Sequence, residues 1–387
     1  MSIAGVVCEY NPFHAGHAYH LKATRAAGAQ AVVCVMSGHF VQRAEPALLT
    51  KWTRAQAAVL GGADLVIELP TASALRSAEG FADSAISLLL AAGVDCISFG
   101  SESGQAASLR KAAQLLCSDA FDPALQQGLN RGLSYAAARQ QALTMLGGDG
   151  ALLRSPNDNL AVEYLKALRR RGSEAQAIAV TRMGASHHQT EPPADAPVCA
   201  AGALRRALQT GDHTLWDSAI PCNALELYKK ELAQTGGVWL APMERAMLAQ
   251  LRCAGMQELT RLPDAADDLC RRLLRAAATG VTLEQVIAKT CSAHYTKSRV
   301  RRVILRHFLG LAHTDPPAYL RVLAFNDTGR ALLRTLKNGT LPLIVKPSEH
   351  ADLLREETRL TDLYALFASN PLPCGLEYTT SPRYVVR

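Results

Sequence analysis

The sequence predicts an α/β protein with an open parallel sheet in its N-terminal part and a mostly helical C-terminal part. Two observations carry this prediction. Over the first 100 residues, short runs rich in β-branched residues alternate with amphipathic stretches of helical length. After about residue 212 the strand patterns stop and long helical patterns follow. We therefore expect a sheet domain over residues 1–212 and a helical domain over residues 213–387.

The individual elements follow from the same patterns. The predicted strands are Ile3–Cys8, Ala31–Met36, Asp64–Leu69 and Asp95–Phe99, with Ala175–Val180 as a candidate fifth. The predicted helices of the first half are His17–Ala27, Leu49–Leu60, Glu79–Ala92, a helix from Ser155–Asn159 to about Arg171, and Ala201–Leu208, which follows the Pro-rich segment Glu191–Pro197. Those of the second half are Glu244–Leu251, Ala265–Ala278, Leu283–Lys289, Lys297–Leu311 and Asp327–Lys337. Ligands of open parallel sheets bind outside the carboxyl ends of the strands, so we expect a site in the loops that follow them.

Composition excludes several classes of protein. Hydrophobic residues make up 49% and charged residues 19% of the 387, which excludes a disordered or fibrous chain. The longest near-apolar run, around Ala85–Val94, is about half the roughly 20 residues that a membrane span needs. The N-terminus lacks the pattern of a signal peptide, and the ten cysteines are scattered without zinc spacing. We expect a cytoplasmic protein with reduced thiols, no metal site, no membrane contact and no evident protein partner.

The positive charge is concentrated in one short stretch. The formal net charge is +7, yet residues 1–150 hold 10 Lys and Arg against 11 Asp and Glu. Residues 296–337 hold 9 against 2, a surplus equal to that of the whole protein. Such a localised basic patch suggests a polyanionic partner, and the alternative is an ordinary solvated helix face.

One motif carries recognisable chemistry. The first predicted strand runs into His14-Ala15-Gly16-His17, an H-x-G-H sequence at the start of the first helix. Gly16 allows a phosphate to approach the backbone, and the helix N-terminus supplies unpaired N–H groups. The two histidines, three residues apart, can donate hydrogen bonds to the charge that builds up when that phosphate is attacked. A cap or a core residue is the alternative role for each histidine.

The motif resembles that of the H-x-G-H nucleotidyltransferases, which are related to class I aminoacyl-tRNA synthetases. Longer stretches are similar to the bacterial tRNA(Met) cytidine acetate ligase family, namely Glu9–His20, Val35–Gln42, Lys51–Arg54, Gly62–Pro70, Ser98–Gly100, Ser155–Tyr164 and Tyr295–Arg302. The resemblance spans nearly the whole chain. It implies a Rossmann-like nucleotidyltransferase domain and an ATP-dependent ligase that forms N(4)-acetylcytidine at the wobble position of elongator tRNA(Met), with ATP and acetate as substrates and Mg²⁺ as the expected ion.

The resemblance also assigns residues to the ATP site. It implies catalytic roles for His14 and His17, and ATP contacts from Val7, Cys8, Glu9, Tyr10, Asn11, Pro12, Phe13, His14, Ala15, Gly16, His17, Ala18, Tyr19, His20, Gly100, Asn157 and Arg182. An arginine at a strand end suits a phosphate, and a glycine suits close packing against the nucleotide. Asn157 could instead cap a helix, and Arg182 could form a surface salt bridge.

Two further features concern anions. The loop after the second strand and the helix beyond it hold Ser37, Gln42, Arg43 and Lys51, which are candidate contacts for acetate or pyrophosphate, or ordinary polar residues. Where the resembled family carries S-A-T-x-I-R before a helix, this chain has Ala200-Ala201-Gly202-Ala203-Leu204-Arg205. The hydroxyls that help to hold phosphate are therefore replaced at Ala200 and Gly202, while backbone N–H groups remain. This departure from the family's pattern is the main argument in the sequence for a weakened or altered enzyme.

The basic stretch predicts the tRNA contact. Within the helix that begins at Lys297, Val300, Val303, Ile304 and Phe308 recur at core spacing. Lys297, Arg299, Arg301, Arg302 and Arg306 are the candidate tRNA-binding residues. Two other functions remain open from the sequence. The chain could adenylate a small-molecule acceptor, or it could be a non-catalytic RNA-binding homologue.

Overall fold

The computed structural model describes residues 2–182 and 200–386, so the segment Glu191–Pro197 lies outside the described residues. Its strands are β1 (Ile3–Cys8), β2 (Ala31–Ser37), β3 (Phe40–Val41), β4 (Glu45–Pro46), β5 (Leu65–Leu69), β6 (Cys96–Ser101), β7 (Gln176–Thr181), β8 (Leu320–Phe325), β9 (Leu343–Ile344) and β10 (Arg383–Tyr384). Eight of them form one sheet in the order β10-β8-β5-β2-β1-β6-β7, with β9 also paired to β8. Strands β3 and β4 form a separate hairpin.

The helices of the first half are α1 (Ala15–Ala26), α2 (Lys51–Leu60), α3 (Thr71–Ala74), α4 (Ala78–Ala91), α5 (Ala106–Leu116), α6 (Phe121–Asn130), α7 (Tyr135–Met145), α8 (Pro156–Arg170) and α9 (Ala201–Thr210). Those of the second half are α10 (His213–Ala219), α11 (Cys222–Thr235), α12 (Glu244–Cys253), α13 (Met256–Leu259), α14 (Asp267–Thr279), α15 (Leu283–Thr290), α16 (Lys297–Leu309), α17 (Asp327–Leu336), α18 (Ala351–Ala365) and α19 (Leu376–Thr379). Short 3₁₀ helices cover Gly150–Arg154, Ala241–Met243 and Pro347–His350.

The predicted parallel sheet is confirmed. All five predicted strands are present within one or two residues of their expected ends, and β1 pairs in parallel with both β2 and β6. Strands β5 and β7 continue this parallel arrangement on either side. The carboxyl ends of β1, β2, β5, β6 and β7 therefore meet at one edge of the sheet. The loops that leave this edge are the ones in which a ligand site is expected.

Side chains of alternating residues divide the core between the two faces of the sheet. In β2, Val33 and Val35 join the hydrophobic cluster that includes α4, α5 and α8. Val32 and Cys34 point the other way, into a cluster with residues of α1 and α2. Because both faces are covered by helices, the strands read as continuous apolar runs, which is the pattern that predicted them.

The expectation that strands end near residue 212 is wrong. Strand β8 lies in the main sheet, antiparallel to β5, and both β9 and β10 pair with β8. Its apolar run is interrupted by Arg321, which is fully buried and paired with Glu377 through Nε at 3.2 Å. This strand was not predicted because a charged residue breaks its apolar pattern, and the carboxylate that neutralises Arg321 is 56 residues away in the sequence. The remaining helices of the second half, α12, α14, α15, α16 and α18, enclose a third hydrophobic cluster. The assignment of ATP binding to residues 1–212 and tRNA binding to residues 213–387 stays a prediction.

Two general features complete the fold. Among the described residues, no helix has both the length and the apolar character required to cross a lipid bilayer. The nine cysteines described have free thiols, of which Cys34, Cys96 and Cys270 are buried.

Candidate active site

The H-x-G-H motif lies where β1 leads into α1. His14 is the N-cap residue of α1, and its Nδ1 accepts a hydrogen bond from the backbone N–H of Gly16 at 3.1 Å. His17 completes the arrangement, because its Nδ1 accepts from the backbone N–H of His14 at 3.3 Å. This is a reciprocal capping box in which two imidazoles take the places usually held by Ser or Thr and Glu or Gln. The two rings are stacked, with centroids 3.8 Å apart.

These bonds fix the tautomer of both rings. A backbone N–H can only donate, so Nδ1 is the acceptor in His14 and in His17. The proton of each neutral imidazole therefore lies on Nε2. Each ring keeps one N–H donor that the capping box does not use.

The surroundings hold both rings neutral. Burial lowers the pKa of His14 to about 4, and the positive charge of Arg182 acts in the same direction. Burial also holds the pKa of His17 well below its usual value, with further contributions from His14, His20 and Arg182. At neutral pH the pair therefore presents N–H donors rather than positive charges. That state suits the stabilisation of a developing negative charge without a fixed ion pair in the resting site.

Gly16 is required by the position of the His14 ring. A Cβ at this residue would lie 2.9 Å from Cε1 of His14, closer than such contacts occur in proteins. The position of Gly16 in the motif predicts close approach of a phosphate to the backbone. The structure adds that the glycine also makes room for the first histidine.

The other predicted ATP contacts are brought together beside β6. The backbone N–H of Arg182 donates to the carbonyl of Ser101 at 3.0 Å, and its guanidinium donates to Oδ1 of Asn157 at 3.3 Å. A Cβ at Gly100 would lie 3.4 Å from Cγ of Arg182. Arg182 also lowers the pKa of both histidines of the motif, so its positive charge acts on the H-x-G-H loop.

Sequence reasoning missed Glu102, which holds this group in place. Its carboxylate accepts from Nδ2 of Asn157, from the backbone N–H of Asn157 at 3.3 Å, and from that of Asp158 at 2.9 Å. These are the first backbone donors of α8, where a carboxylate is favoured by the helix dipole. The signal for Glu102 was its place directly after a strand, at the edge where ligands bind.

The rest of segment 7–20 divides into buried and exposed residues. Tyr10 and Phe13 are buried, and the backbone N–H of Phe13 donates to the hydroxyl of Tyr228 at 3.1 Å. His20 shares a hydrogen bond of 2.9 Å with Oγ of Ser98, so its Nε2 already has a protein partner. Tyr19 is 39% exposed on α1.

Sequence reasoning also missed Arg54, which is fully buried and joins two of the loops. Its guanidinium donates to the carbonyls of Glu9 at 2.6 Å, Ser37 at 3.1 Å and Leu49 at 3.0 Å, and also to that of Gly38. The loop after β1 and the loop after β2 are therefore held together by one side chain. Its signal in the sequence was the K-W-T-R stretch.

The four candidate anion contacts occupy different environments. Arg43 is exposed in the turn of the β3–β4 hairpin, and Gln42 is half-buried, with its backbone N–H donating to Glu9 at 2.7 Å. Ser37 is buried, and its hydroxyl has no hydrogen-bond partner among the described residues. Lys51 is fully buried, with its Nζ 2.7 Å from both Glu68 and Glu377. Lys51 is thus paired with two buried carboxylates, which corrects its assignment as a candidate acetate contact.

The helix that replaces the Ser/Thr-rich turn begins at Ala201, with Ala200 as its N-cap residue. Arg205 of this helix donates to the carbonyl of Asn11 at 2.7 Å and pairs with Glu45. Helix α9 therefore contacts the H-x-G-H loop even without the two hydroxyls.

The basic stretch is less exposed than its composition suggests. Arg306 is 1% exposed, and it donates to the carbonyls of Leu311 at 3.0 Å, Ala72 at 2.9 Å and Leu75 at 3.3 Å. The prediction that Arg306 binds tRNA is therefore wrong, because its guanidinium is buried and already donates to backbone carbonyls inside the fold. Burial lowers the pKa of Arg306 to about 10, which leaves it charged at neutral pH.

The other four candidates lie at or near the surface of α16. Lys297 and Arg301 pair with Glu284, and Arg302 pairs with Asp264. Arg299 donates to the carbonyl of Asp264 at 2.8 Å and lies over the ring of Tyr295. The ion pairs of Lys297 and Arg301 with Glu284 are exposed to solvent, and such pairs contribute little to stability.

Comparison with known proteins places the chain in a family. Residues 1–374 match the family described as HIGH Nucleotidyl Transferase. The chain is 34% identical over 411 aligned positions to a tRNA(Met) cytidine acetate ligase of Acetivibrio thermocellus, with 98% of this chain and 99% of the relative covered. It is 35% identical to the same enzyme of Alkaliphilus metalliredigens, with 99% of each covered.

A solved structure agrees with the sequence relatives. The crystal structure of Thermotoga maritima TmcAL bound with alpha-thio ATP has a TM-score of 0.91 to this fold, at 28% sequence identity and with all of both chains covered. The fold, the H-x-G-H site and the full-length relatives lead to one conclusion. The chain belongs to the HIGH nucleotidyl transferase family and, within it, to the tRNA(Met) cytidine acetate ligases.

Proposed function

We propose that this chain is an ATP-dependent ligase that acetylates the wobble cytidine of elongator tRNA(Met), forming N(4)-acetylcytidine. The observation that carries the proposal is the reciprocal capping box of His14 and His17, which leaves two neutral Nε2–H donors at the start of α1. The names of the full-length relatives support the same reaction. The α-thio ATP bound by the T. maritima protein supports ATP as the nucleotide.

The first step forms acetyl-adenylate. A carboxylate oxygen of acetate attacks the α-phosphorus of ATP, and the bond to the β-phosphate oxygen breaks to release pyrophosphate. His14 and His17 donate hydrogen bonds to the phosphate oxygens as negative charge builds up on them. Arg182, held by Asn157, offers a guanidinium to the same phosphates.

The second step transfers the acetyl group. The exocyclic amine of cytidine attacks the acetyl carbonyl, AMP leaves with the electron pair of the broken C–O bond, and the amine loses a proton. This amine is a poor nucleophile, so activation of acetate as a mixed anhydride makes the transfer feasible. Holding the two reactants in one site supplies much of the remaining rate. The base has to be turned out of its loop to reach the nucleotide.

Mg²⁺ is proposed as the counter-ion of ATP. When bound, it neutralises phosphate charge as pyrophosphate departs. Within residues 2–182 and 200–386, no group of three or more Asp, Glu, His or Cys side chains is arranged to hold a metal ion. Mg²⁺ usually takes only one or two carboxylates beside substrate phosphates and water, so it would enter with ATP and would not need such a group.

We further propose that tRNA docks on the second half of the chain. Lys297, Arg299, Arg301 and Arg302 lie together on α16, where phosphate contacts would supply affinity without sequence choice. The cytidine then reaches an ATP site built mainly from residues 1–212.

One experiment tests the proposal against both alternatives. Exchange of labelled pyrophosphate into ATP is measured with purified protein, with and without acetate, and acetylcytidine is then measured after addition of tRNA. Acetate-dependent exchange followed by acetylation is the expected result. Exchange that requires a different carboxylate or phosphate acceptor would show a small-molecule adenylyltransferase. No exchange with any acceptor, together with retained tRNA binding, would show a non-catalytic RNA-binding protein.

A further inference from the structure

A cavity lies beside Arg205, the residue of α9 that contacts the H-x-G-H loop, and no step of the reaction described above uses it. It has a volume of about 210 Å³ and is formed by the β3–β4 hairpin, helix α9 and the segment after α11. Its wall includes Glu45, Gly202, Arg205, Arg206, Gln209 and Trp239. The wall therefore combines an aromatic ring with cationic and amide groups.

Arg205 joins this cavity to the active site. Its guanidinium donates to the carbonyl of Asn11 at 2.7 Å, and Asn11 is three residues before His14. Glu45 pairs with the same guanidinium, so the charge of Arg205 is already neutralised. A ligand in the cavity would lie beside the loop that holds ATP without displacing it.

Trp239 is presented on a rigid backbone. The N–H of Val238 donates to the carbonyl of Leu48 at 3.0 Å, and that of Trp239 donates to the carbonyl of Phe367 at 2.9 Å. The indole Nε1–H donates to the carbonyl of Gly236 at 3.2 Å, which fixes the ring. Trp239 is half-buried, so part of its indole remains open to a ligand. A flat ring held in advance loses little entropy when a base stacks on it.

Arg206 supplies the positive charge that the wall of the cavity offers to a ligand. It is exposed, and among the described residues it forms no ion pair, in contrast to its neighbour Arg205. Gln209 lies three residues further along α9, on the same side of the helix, and offers an amide to a polar edge. An aromatic face, a guanidinium and an amide together match a base and the phosphate attached to it.

We propose that this cavity binds one unpaired nucleotide of the RNA substrate, next in the strand to the acetyl-accepting cytidine. Its base stacks on Trp239 and its phosphate contacts Arg206. Holding that neighbour would draw the strand out of its loop and direct the cytidine toward the acetyl-adenylate. This inference rests on the proposed function, because it assumes an RNA acceptor.

The test uses the intrinsic fluorescence of the full chain. Of the three tryptophans, Trp52 and Trp216 are only 2% and 3% exposed, so quenching by an added RNA reports mainly on Trp239. Quenching by tRNA(Met) is measured for the unmodified chain, and tRNA binding is measured separately by filter retention for Trp239→Leu, Trp239→Phe and Arg206→Ala. Tyr135→Ala and Arg355→Ala, which remove exposed side chains elsewhere, are the matched controls. Acetate-dependent pyrophosphate exchange requires no RNA and shows whether each variant keeps an intact ATP site.

The expected result is strong quenching of the unmodified chain and about tenfold weaker tRNA binding by Trp239→Leu, with most of the affinity kept by Trp239→Phe. Arg206→Ala should weaken binding and reduce its dependence on salt by about one phosphate contact. Unquenched fluorescence at saturating tRNA, or control-like binding by Trp239→Leu and Arg206→Ala, would overturn the inference while leaving the proposed function intact. If Trp239→Leu also lost pyrophosphate exchange, its ATP site would be damaged and its tRNA binding would not be informative. The tRNA binding of Arg206→Ala, which changes an exposed residue, would then decide whether the inference holds. Absence of acetate-dependent exchange in the unmodified chain would instead overturn the proposed function.

Discussion

The imidazoles of His14 and His17 are stacked 3.8 Å apart, and each accepts a backbone N–H through Nδ1. One local arrangement therefore caps the helix, fixes the tautomers and leaves two Nε2–H donors. The same two hydrogen bonds stabilise the start of α1 and set which nitrogen of each imidazole carries the proton.

His17→Asn should separate these roles. The Asn Oδ1 can replace Nδ1 as the acceptor for the backbone N–H of His14, but the variant has no counterpart of Nε2–H. We expect acetate-dependent pyrophosphate exchange to fall by about 10²–10³-fold, as on loss of one oxyanion donor. Binding of tRNA should be unchanged. His294→Ala, an exposed histidine outside the site, is the control, and an exchange rate for His17→Asn equal to that of this control would contradict the assignment.

The buried histidines should make stability depend on pH. Burial lowers the pKa of His20 to about 4, whereas an unfolded histidine titrates near 6.5. Between these values the unfolded chain binds the proton and the folded chain does not, so the free energy of unfolding falls as the pH is lowered. One such histidine contributes about 1.4 kcal/mol per pH unit in that window. Urea unfolding at pH 6.5 and pH 5 should therefore show a loss that is about 2 kcal/mol smaller in His20→Gln. Equal losses in the variant and the unmodified chain would show that His20 is not held neutral.

Glu102→Ala should weaken the binding of ATP, because Glu102 holds Asn157 in place. Without the carboxylate, Nδ2 of Asn157 and two backbone donors of α8 lose their acceptor, and Arg182 loses a fixed partner. We expect the KM for ATP to rise by about tenfold, with the KM for acetate unchanged, since one charged hydrogen-bond network contributes about 1.5–3 kcal/mol. Steady-state exchange kinetics measure both constants. Glu349→Ala, an exposed carboxylate in a 3₁₀ helix of the second half, is the control. A parallel rise in both constants would point to general damage of the fold instead.

Substitutions of Arg306 and Lys297 should have different effects on stability and on tRNA binding, although both residues belong to the same basic stretch. Arg306→Ala leaves several buried carbonyls without a donor, and we expect the free energy of unfolding to fall by about 3 kcal/mol. Lys297→Ala removes one exposed ion pair and should change the free energy of unfolding by less than about 0.5 kcal/mol. Lys297→Ala should instead reduce the salt dependence of tRNA binding. Denaturant unfolding and filter binding distinguish the two, and similar stabilities would contradict the structural role of Arg306.

Local sequence patterns predicted the elements of the first half well. β1 was predicted with its observed ends, and α8 within one residue of each end, because strand period, helix period and capping residues act over a few neighbouring positions. The H-x-G-H motif was recognisable for the same reason. Its two histidines, its glycine and the helix start lie within four residues.

Contacts between distant residues were not predictable in this way. Arg321 interrupts the apolar run of β8, and its buried pair with Glu377 neutralises that charge inside the fold. Arg306 looked like its exposed neighbours, since the carbonyls of Ala72 and Leu75 that satisfy it are more than 200 residues away.

Local patterns were enough to predict the parallel sheet, the place of the nucleotide motif and the family, because each depends on short-range order along the chain. The tertiary structure alone decided which charges are buried. A guanidinium inside the fold is stable only when folded neighbours supply its acceptors, and those neighbours are far apart in sequence. It also decided that Glu102 supports Asn157, that Arg54 joins two loops, and that Trp239 lines the same cavity as Arg205.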